Sequence, residues 1–157
     1  MSDLPNMDEI DRVILAELQS DARRSNKAVA AAAGVAPSTS LTRIRELEAA
    51  GVVRGYHADV DPKALGRHIA ALVSVRLSPK SEALVERVID SLWRLDEVVA
   101  ITLLTGPYDL QVELSVPSIE DLRTLVLENI ASFDGVSDEQ TVIVFERRRK
   151  PVLAPLG

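Results

Sequence analysis

"GVAPSTSLTRIRELEAAGVV" occupies residues 34–53, and its reading decides the architecture of the N-terminal third. Gly34 can take the left-handed conformation that closes a helix, Pro37 suits the first position of the next helix, and Gly51 can close that one in turn. The spacing predicts a helix from Pro37 to just before Gly51, entered through a very short turn. At 100° per residue, Leu41, Ile44 and Leu47 mark its inward arc, while Ser38, Thr39, Thr42 and Glu46 face outward. Arg43 and Arg45 fall on the two borders. Ser40 and Glu48 lie within the apolar arc, near the helix ends, where a polar tip is expected to reach water.

Two more helices are expected upstream. "DEIDRVILAELQSD" (residues 8–21) has Asp8 as N-cap and Ile10, Val13, Ile14 and Leu18 on one stripe. "NKAVAAAA" (residues 26–33) starts after the N-cap Ser25, and its alanines allow close helix approach. Two helices joined so tightly make a helix-turn-helix. The leading outward edge of the last helix is short, polar and uncharged or basic, as a helix needs when it meets base edges and phosphates in a major groove. Ser38, Thr39, Thr42 and Arg45 are the candidates for base edges, and Arg43, Arg23, Lys27 and Arg54 for phosphates. For Arg43 an ion pair with Glu46, three residues on, is the alternative. "VVRGYHADV" (residues 52–60) carries strand formers around Gly55 and is expected to add a wing or connecting strand.

Composition narrows the class. The chain has 157 residues, 46% apolar, 27% charged and only 3% aromatic, so its core must be aliphatic. The absence of cysteine excludes disulfides and thiolate metal sites. Two histidines, His57 and His68, complete no metal shell, so neither a metal nor a cofactor is expected. A net charge of -6 argues at first against nucleic acid. Yet Arg23, Arg24, Lys27, Arg43 and Arg45 stand in one window without a single acid, and distribution matters more than the sum. Charge alone does not separate a DNA face from a solvated one. No signal peptide or membrane-length apolar run is evident, which points to the cytoplasm.

"DPKALGRH" (residues 61–68) reads as a linker between a DNA-binding region at 1–60 and a second region at 69–157. Beyond it "IAALVSVRL" is expected as a strand, "KSEALVERVIDSLWRL" as a helix with Leu84, Val85, Val88, Ile89 and Leu92 on one side, and "EVVAITLLT" as a strand. "YDLQVELSV" alternates strictly, "SIEDLRTLVLENIASF" is a helix capped by Ser118 with Ile119, Leu122, Val126 and Ile130 inward, and "EQTVIVFERRR" closes as a strand. Strand, helix, strand, twice over, implies a ferredoxin-like βαββαβ sandwich and an α+β chain overall. Helices cover one sheet face, and the sheet of a second subunit is the simplest cover for the other, which predicts a two-fold homodimer. Trp93 is expected in the core, and the basic run 147–150 as a strand end at an oligomer surface, with a DNA contact as the alternative.

The segment from Met7 to Gly66, with its Asp8 opening, its Pro37-Ser38 helix start, Arg43 with Leu47, the Ala50-Gly51-Val52 exit and Gly55-Tyr56, followed by a domain containing "TGPYD", resembles the Lrp/AsnC transcription regulators. The resemblance covers nearly the whole chain. It implies an N-terminal winged helix-turn-helix that reads double-stranded DNA, and a C-terminal domain that dimerises, assembles into tetramers or octamers and binds an amino acid between dimers. Two departures stand out: Ala36 where members usually have a capping serine, and Pro107 where they have a polar or small residue.

On that resemblance the hairpin "LLTGPYDLQV" (residues 103–112) is the expected effector site. Gly106 permits a sharp turn or a close ligand with N–H groups suited to a carboxylate, Asp109 suits an α-ammonium, and Tyr108 gives a flat wall. Thr105, Gln111 and Thr141 are further lining candidates. On the residues alone, a plain turn with a solvated Asp109 fits as well. An enzyme lacks parts here: no cysteine, no Ser-His-Asp set, no phosphate-cradling loop, and a lone Asp109. RNA binding would need more exposed aromatics. The expected function is therefore a DNA-binding transcription regulator modulated by an amino acid, on a roughly palindromic operator, the alternative being an amino-acid sensor that has lost DNA binding.

Overall fold

The computed structural model describes residues 6–155. These divide into two compact units, one formed by residues 6–59 with 148–155, the other by Val60–Arg147.

The first unit holds three helices: α1 (Glu9–Ser20), α2 (Asn26–Ala32) and α3 (Pro37–Ala49). Their boundaries follow local chemistry. Asp8 and Asp11 form a reciprocal capping box at α1, and the Ser25 side chain accepts from the Ala28 N–H at α2. Gly34 and Gly51 follow α2 and α3 with φ of 67° and 70°, the left-handed values a branched side chain resists. α3 begins at Pro37 with no side-chain cap at Ala36. Ile14, Val29, Ile44 and Leu47 are buried together as the core of this unit.

Several expectations for this unit need correction. Leu41 is 39% exposed, because Ile44 and Leu47 already fill the contact with α1 and α2. Ser40 is fully enclosed, and its Oγ has no hydrogen-bond partner among the described residues. Glu48 does reach the surface, where its Oε1 accepts from the Tyr56 hydroxyl at 2.8 Å. Burial and this bond push the Tyr56 phenol up to about 12. No strand forms in residues 52–61, so the expected wing is absent from the described residues.

In the second unit a 3-10 turn (Pro62–Leu65), capped by Asp61 and closed by Gly66, leads into β1 (Ile69–Leu77). Then come α4 (Glu82–Leu92), β2 (Val98–Leu103), β3 (Leu110–Val116), α5 (Ile119–Leu125), continued by a π-helical turn (Val126–Ala131), and β4 (Val136–Ile143). The sheet order is β2-β3-β1-β4 with every pairing antiparallel, the ferredoxin-like arrangement. Ala71, Val73, Val75 and Leu77 of β1 and Leu110, Val112, Leu114 and Val116 of β3 are buried against Leu84, Val88, Leu92, Leu122, Leu125, Val126 and Ile130 of the helices. The opposite sheet face carries Leu72, Ser74, Gln111, Glu113, Gln140 and Val142, and Val142 is 46% exposed. No helix covers it.

Trp93, expected in the core, is 62% exposed, since α4 turns its buried side through Leu84, Val88 and Leu92 and ends just before it. Ile119 is 52% exposed at the first turn of α5. β4 starts at Val136, three residues before the expected "EQTVIVF", and ends at Ile143. The basic run 147–150 therefore lies past the strand.

Candidate DNA interface and effector turn

On α3 the structure leaves Ser38, Thr39, Thr42 and Arg45 exposed. Ser38, Thr39 and Thr42 line a shallow depression of ≈ 280 Å³ with Arg43 and Glu46. The Thr42 hydroxyl donates to the Ser38 carbonyl at 3.1 Å. A helical threonine commonly makes this bond and can give it up to another acceptor. Asn26 donates from Nδ2 to the Pro37 carbonyl at 2.8 Å, tying the start of α2 to the start of α3. Arg23, Lys27 and Arg54 are exposed on the surrounding turns and on α2, and Arg24 pairs with Glu17.

Arg43 makes an ion pair that its spacing did not suggest. Its guanidinium sits 3.0 Å from the Asp8 carboxylate and 3.2 Å from that of Asp11. These are the same two carboxylates that cap α1. Asp11 is only 6% exposed, so Arg43 compensates a nearly buried charge. Asp11 and Asp8 hold the Arg43 guanidinium above its ordinary value, with a lesser contribution from Glu46. The Asp8 carboxyl lies below the usual carboxylate range, chiefly through the hydrogen bond from the Asp11 N–H, with Arg43 adding to it. Arg43 thus braces α3 against the start of α1. Its partners lie 32 and 35 residues away in sequence, beyond the reach of helical spacing.

The turn joining β2 to β3 is held from several sides. The Leu104 N–H donates to the Asp109 carbonyl at 2.7 Å, and the Asp109 N–H to the Val75 carbonyl at 2.9 Å. Asp109, expected to be free for a ligand's ammonium, is 8% exposed and already engaged. One carboxylate oxygen accepts from the Leu77 N–H at 2.8 Å, and the other lies 2.7 Å from Lys80 Nζ. Burial alone would raise its pKa, but the Leu77 N–H, Lys80 and Arg76 outweigh it and hold the carboxyl below its usual range.

Arg76 and Lys80 were not among the sequence candidates. Arg76 donates from Nε to the Pro107 carbonyl at 2.8 Å, and its guanidinium stands 5.2 Å from the centre of the Tyr108 ring. Alternation along β1 does put Arg76 on the uncovered face. That it meets this turn follows from the register Val75↔Leu110, which brings the end of β1 beside the start of β3.

Thr105 and Gly106 are exposed and Tyr108 is half-buried. Gly106 has φ 143°, and a Cβ there would touch nothing within 4 Å, so glycine serves the bend itself. Gln111 and Thr141 are not brought together. Gln111 pairs with Ser74 on the uncovered face, while Thr141 pairs with Val73 on the helix-covered side and donates to Glu139 at 2.9 Å.

With this geometry in place, similarity to known proteins is extensive. A family model described as the AsnC-type helix-turn-helix domain matches residues 7–48, and one described as the Lrp/AsnC ligand binding domain matches residues 70–152. The HTH-type transcriptional regulator AldR of Mycobacterium tuberculosis is 37% identical over 143 residues, spanning 91% of this chain and 80% of that protein. The leucine-responsive regulatory protein of Escherichia coli K12 is 32% identical, spanning 90% and 86%. Among solved structures, a transcriptional regulator of Neisseria meningitidis in complex with L-Met superposes with a TM-score of 0.85 at 28% identity, covering 92% of this chain and 94% of that one.

Proposed function

The chain belongs to the Lrp/AsnC family of transcription regulators, and we propose that it reads duplex DNA with the leading edge of α3 and binds an amino-acid effector at the β2–β3 turn. It is a DNA-binding regulator whose activity a small effector modulates. One observation carries the assignment of surfaces: Arg43 is engaged with Asp8 and Asp11, which fixes α3 while Ser38, Thr39, Thr42 and Arg45 stand exposed in front of it. In this reading the three hydroxyls and Arg45 meet base edges, and Arg23, Lys27 and Arg54 meet phosphates. Hydroxyls discriminate weakly between bases, so specificity is moderate, with Arg45 contributing about 1 to 3 kcal/mol where it meets a guanine edge. Arg43 acts as a brace.

The uncovered sheet face supports a homodimer, because its Leu72 and exposed Val142 lie side by side across β1 and β4. Two-fold pairing makes the operator roughly palindromic, and tetramers or octamers follow by further association of dimers, measurable by light scattering. At the turn, Thr105, Gly106 and Tyr108 contact the effector, Arg76 receives its carboxylate, and Asp109 with Lys80 keeps the turn in shape. The L-Met complex of the meningococcal relative supports an amino acid as the ligand class. The absence of any described helix long and apolar enough to cross a membrane fits action in the cytoplasm.

The test pairs two titrations. Anisotropy of a fluorescent duplex drawn from the DNA upstream of the protein's own gene should show binding that Thr42→Ala/Arg45→Ala abolishes, and thermal shift against the twenty amino acids should single out a ligand whose effect Arg76→Gln removes. Wild-type protein that ignores the duplex at low salt would overturn the DNA assignment.

A further inference from the structure

The basic run "RRRK" at residues 147–150 is not used by either surface above. Arg147 pairs with Glu113 of β3. From Arg148 onward the chain belongs to the helix-turn-helix unit. There it is fastened by a reciprocal pair of hydrogen bonds: the Leu153 N–H donates to Gln19 Oε1 at 2.9 Å, and Gln19 Nε2 donates to the Leu153 carbonyl at 3.2 Å. A side-chain amide thus pairs with tail backbone as a neighbouring strand would. Gln19 is the penultimate residue of α1, directly before the turn that carries Arg23 and Arg24 and leads to Lys27 on α2.

Charge bookkeeping by segment gives the tail a role. Residues 60–147 hold eight basic and fifteen acidic residues, net -7. Residues 1–59 hold seven basic and nine acidic, net -2, an unfavourable sign for meeting a polyanion. Residues 148–157 add Arg148, Arg149 and Lys150 and no acid, which turns the unit to net +1. The tail is also anchored at the end of α1. At about 3.3 to 3.6 Å per residue, Lys150 lies within about 11 Å of the Leu153 backbone that Gln19 holds, roughly one Debye length at 0.1 M salt.

We infer that residues 148–150 are a second DNA-contacting element, binding backbone phosphates beside the helix-turn-helix without reading sequence. The inference rests on the DNA reading proposed above and adds to it a contact that comes from the far end of the chain. β4 ends at Ile143, so the run is not the strand end that was expected, and its place at an oligomer surface is replaced here by a DNA contact. Phosphate contacts release counterions and carry no base information, so their signature is a salt slope.

The test measures affinity against salt for an upstream duplex and for a scrambled duplex of equal length, using the full-length wild type, Arg149→Gln/Lys150→Gln and the charge-conserving Arg149→Lys. Each lost phosphate contact should flatten the slope of log K against log salt by about 0.9, so the double variant should lose about 1.8 per chain that engages DNA. Both duplexes should weaken by the same factor, and Arg149→Lys should match wild type. An unchanged slope in the double variant, while wild type still binds and Thr42→Ala/Arg45→Ala does not, would overturn the inference and leave the α3 reading intact. A loss confined to the upstream duplex would also overturn it, since it would mean sequence readout. Wild type failing on both duplexes would instead sink the DNA reading itself.

Discussion

Replacing Arg43 with alanine separates a brace from a DNA contact. The perturbation removes one cation from two carboxylates, Asp8 at 3.0 Å and Asp11 at 3.2 Å, and leaves Asp11, 6% exposed, without its counter-charge. A fully enclosed carboxylate stripped of its partner costs about 3 to 5 kcal/mol, and a fully exposed pair about 1 or less. The Arg43 side chain is 34% exposed, so solvent screens part of the attraction. Leaving Asp11 without its counter-charge is expected to cost about 2 kcal/mol, and for a domain this small that lowers the melting midpoint by about 10 °C. Circular dichroism should show that shift, and hydrogen exchange should confine it to α1, α2 and α3 while the sheet keeps its protection. The pH dependence has a definite sign. The Asp8 carboxyl is depressed in the folded state, so its contribution is present above about pH 4 and fades as pH falls through the lowered folded value. The penalty of Arg43→Ala should shrink in acid accordingly. Asp11→Asn in the Arg43→Ala background should recover part of the loss, a coupling that a double-mutant cycle quantifies. Below the melting transition, DNA affinity should change little. An unmoved transition with a large fall in DNA affinity would refute the brace and return Arg43 to the phosphates.

Ala36→Ser should stabilise α3 by about 1 kcal/mol, because position 36 already has the extended N-cap geometry and lacks only the side-chain acceptor, and chemical denaturation reads this directly. Gly135→Ala should destabilise the sheet unit by about 2 to 3 kcal/mol, since φ is 101° and the new Cβ would stand 2.6 Å from Leu84 Cδ2, a strain measurable by the denaturation midpoint. Asp109→Ala should cost about 1 to 3 kcal/mol by stranding the Leu77 N–H, while Asp109→Asn keeps an acceptor and loses less. Because the Asp109 carboxyl is depressed in the folded state, its stabilisation is present above the ordinary carboxylate range and lost as pH falls, so Asp109→Asn should flatten the acid arm of the stability curve.

What the sequence makes legible is what neighbours along the chain decide. Asp8, Ser25 and Ser118 cap their helices as their positions suggest, and Gly34, Gly51 and Gly66 take left-handed angles where each helix or turn must stop. The alternation of β3 separates Leu110, Val112, Leu114 and Val116 from Gln111 and Glu113, although Ser115 is buried too. Effects that depend on distant partners are not legible. Arg43 meets Asp8 and Asp11 only because the three helices fold together, and Asp109 meets Leu77 and Lys80 only because β1 pairs with β3. Thr141 falls on the opposite face from Gln111 because of the β1–β4 register. A helical wheel places Leu41 inward from its angle alone, yet which angles meet α1 and α2 is fixed by how the helices cross. For the same reason the wheel gives Ser40 no hint of full burial. The segment after Gly51 has strand-forming residues but no neighbouring strand with which to pair, and propensity alone does not make a strand.

In the DNA complex proposed above, the leading edge of α3 faces a duplex groove. Because the chain has no cysteine, Thr39→Cys introduces a single thiol on that edge, and its maleimide labelling can be timed with and without the upstream duplex, with Trp93→Cys on the other unit as reference. Saturating duplex should slow labelling at position 39 many-fold and leave position 93 unchanged. Undiminished labelling at position 39 under conditions where the duplex is bound would contradict it.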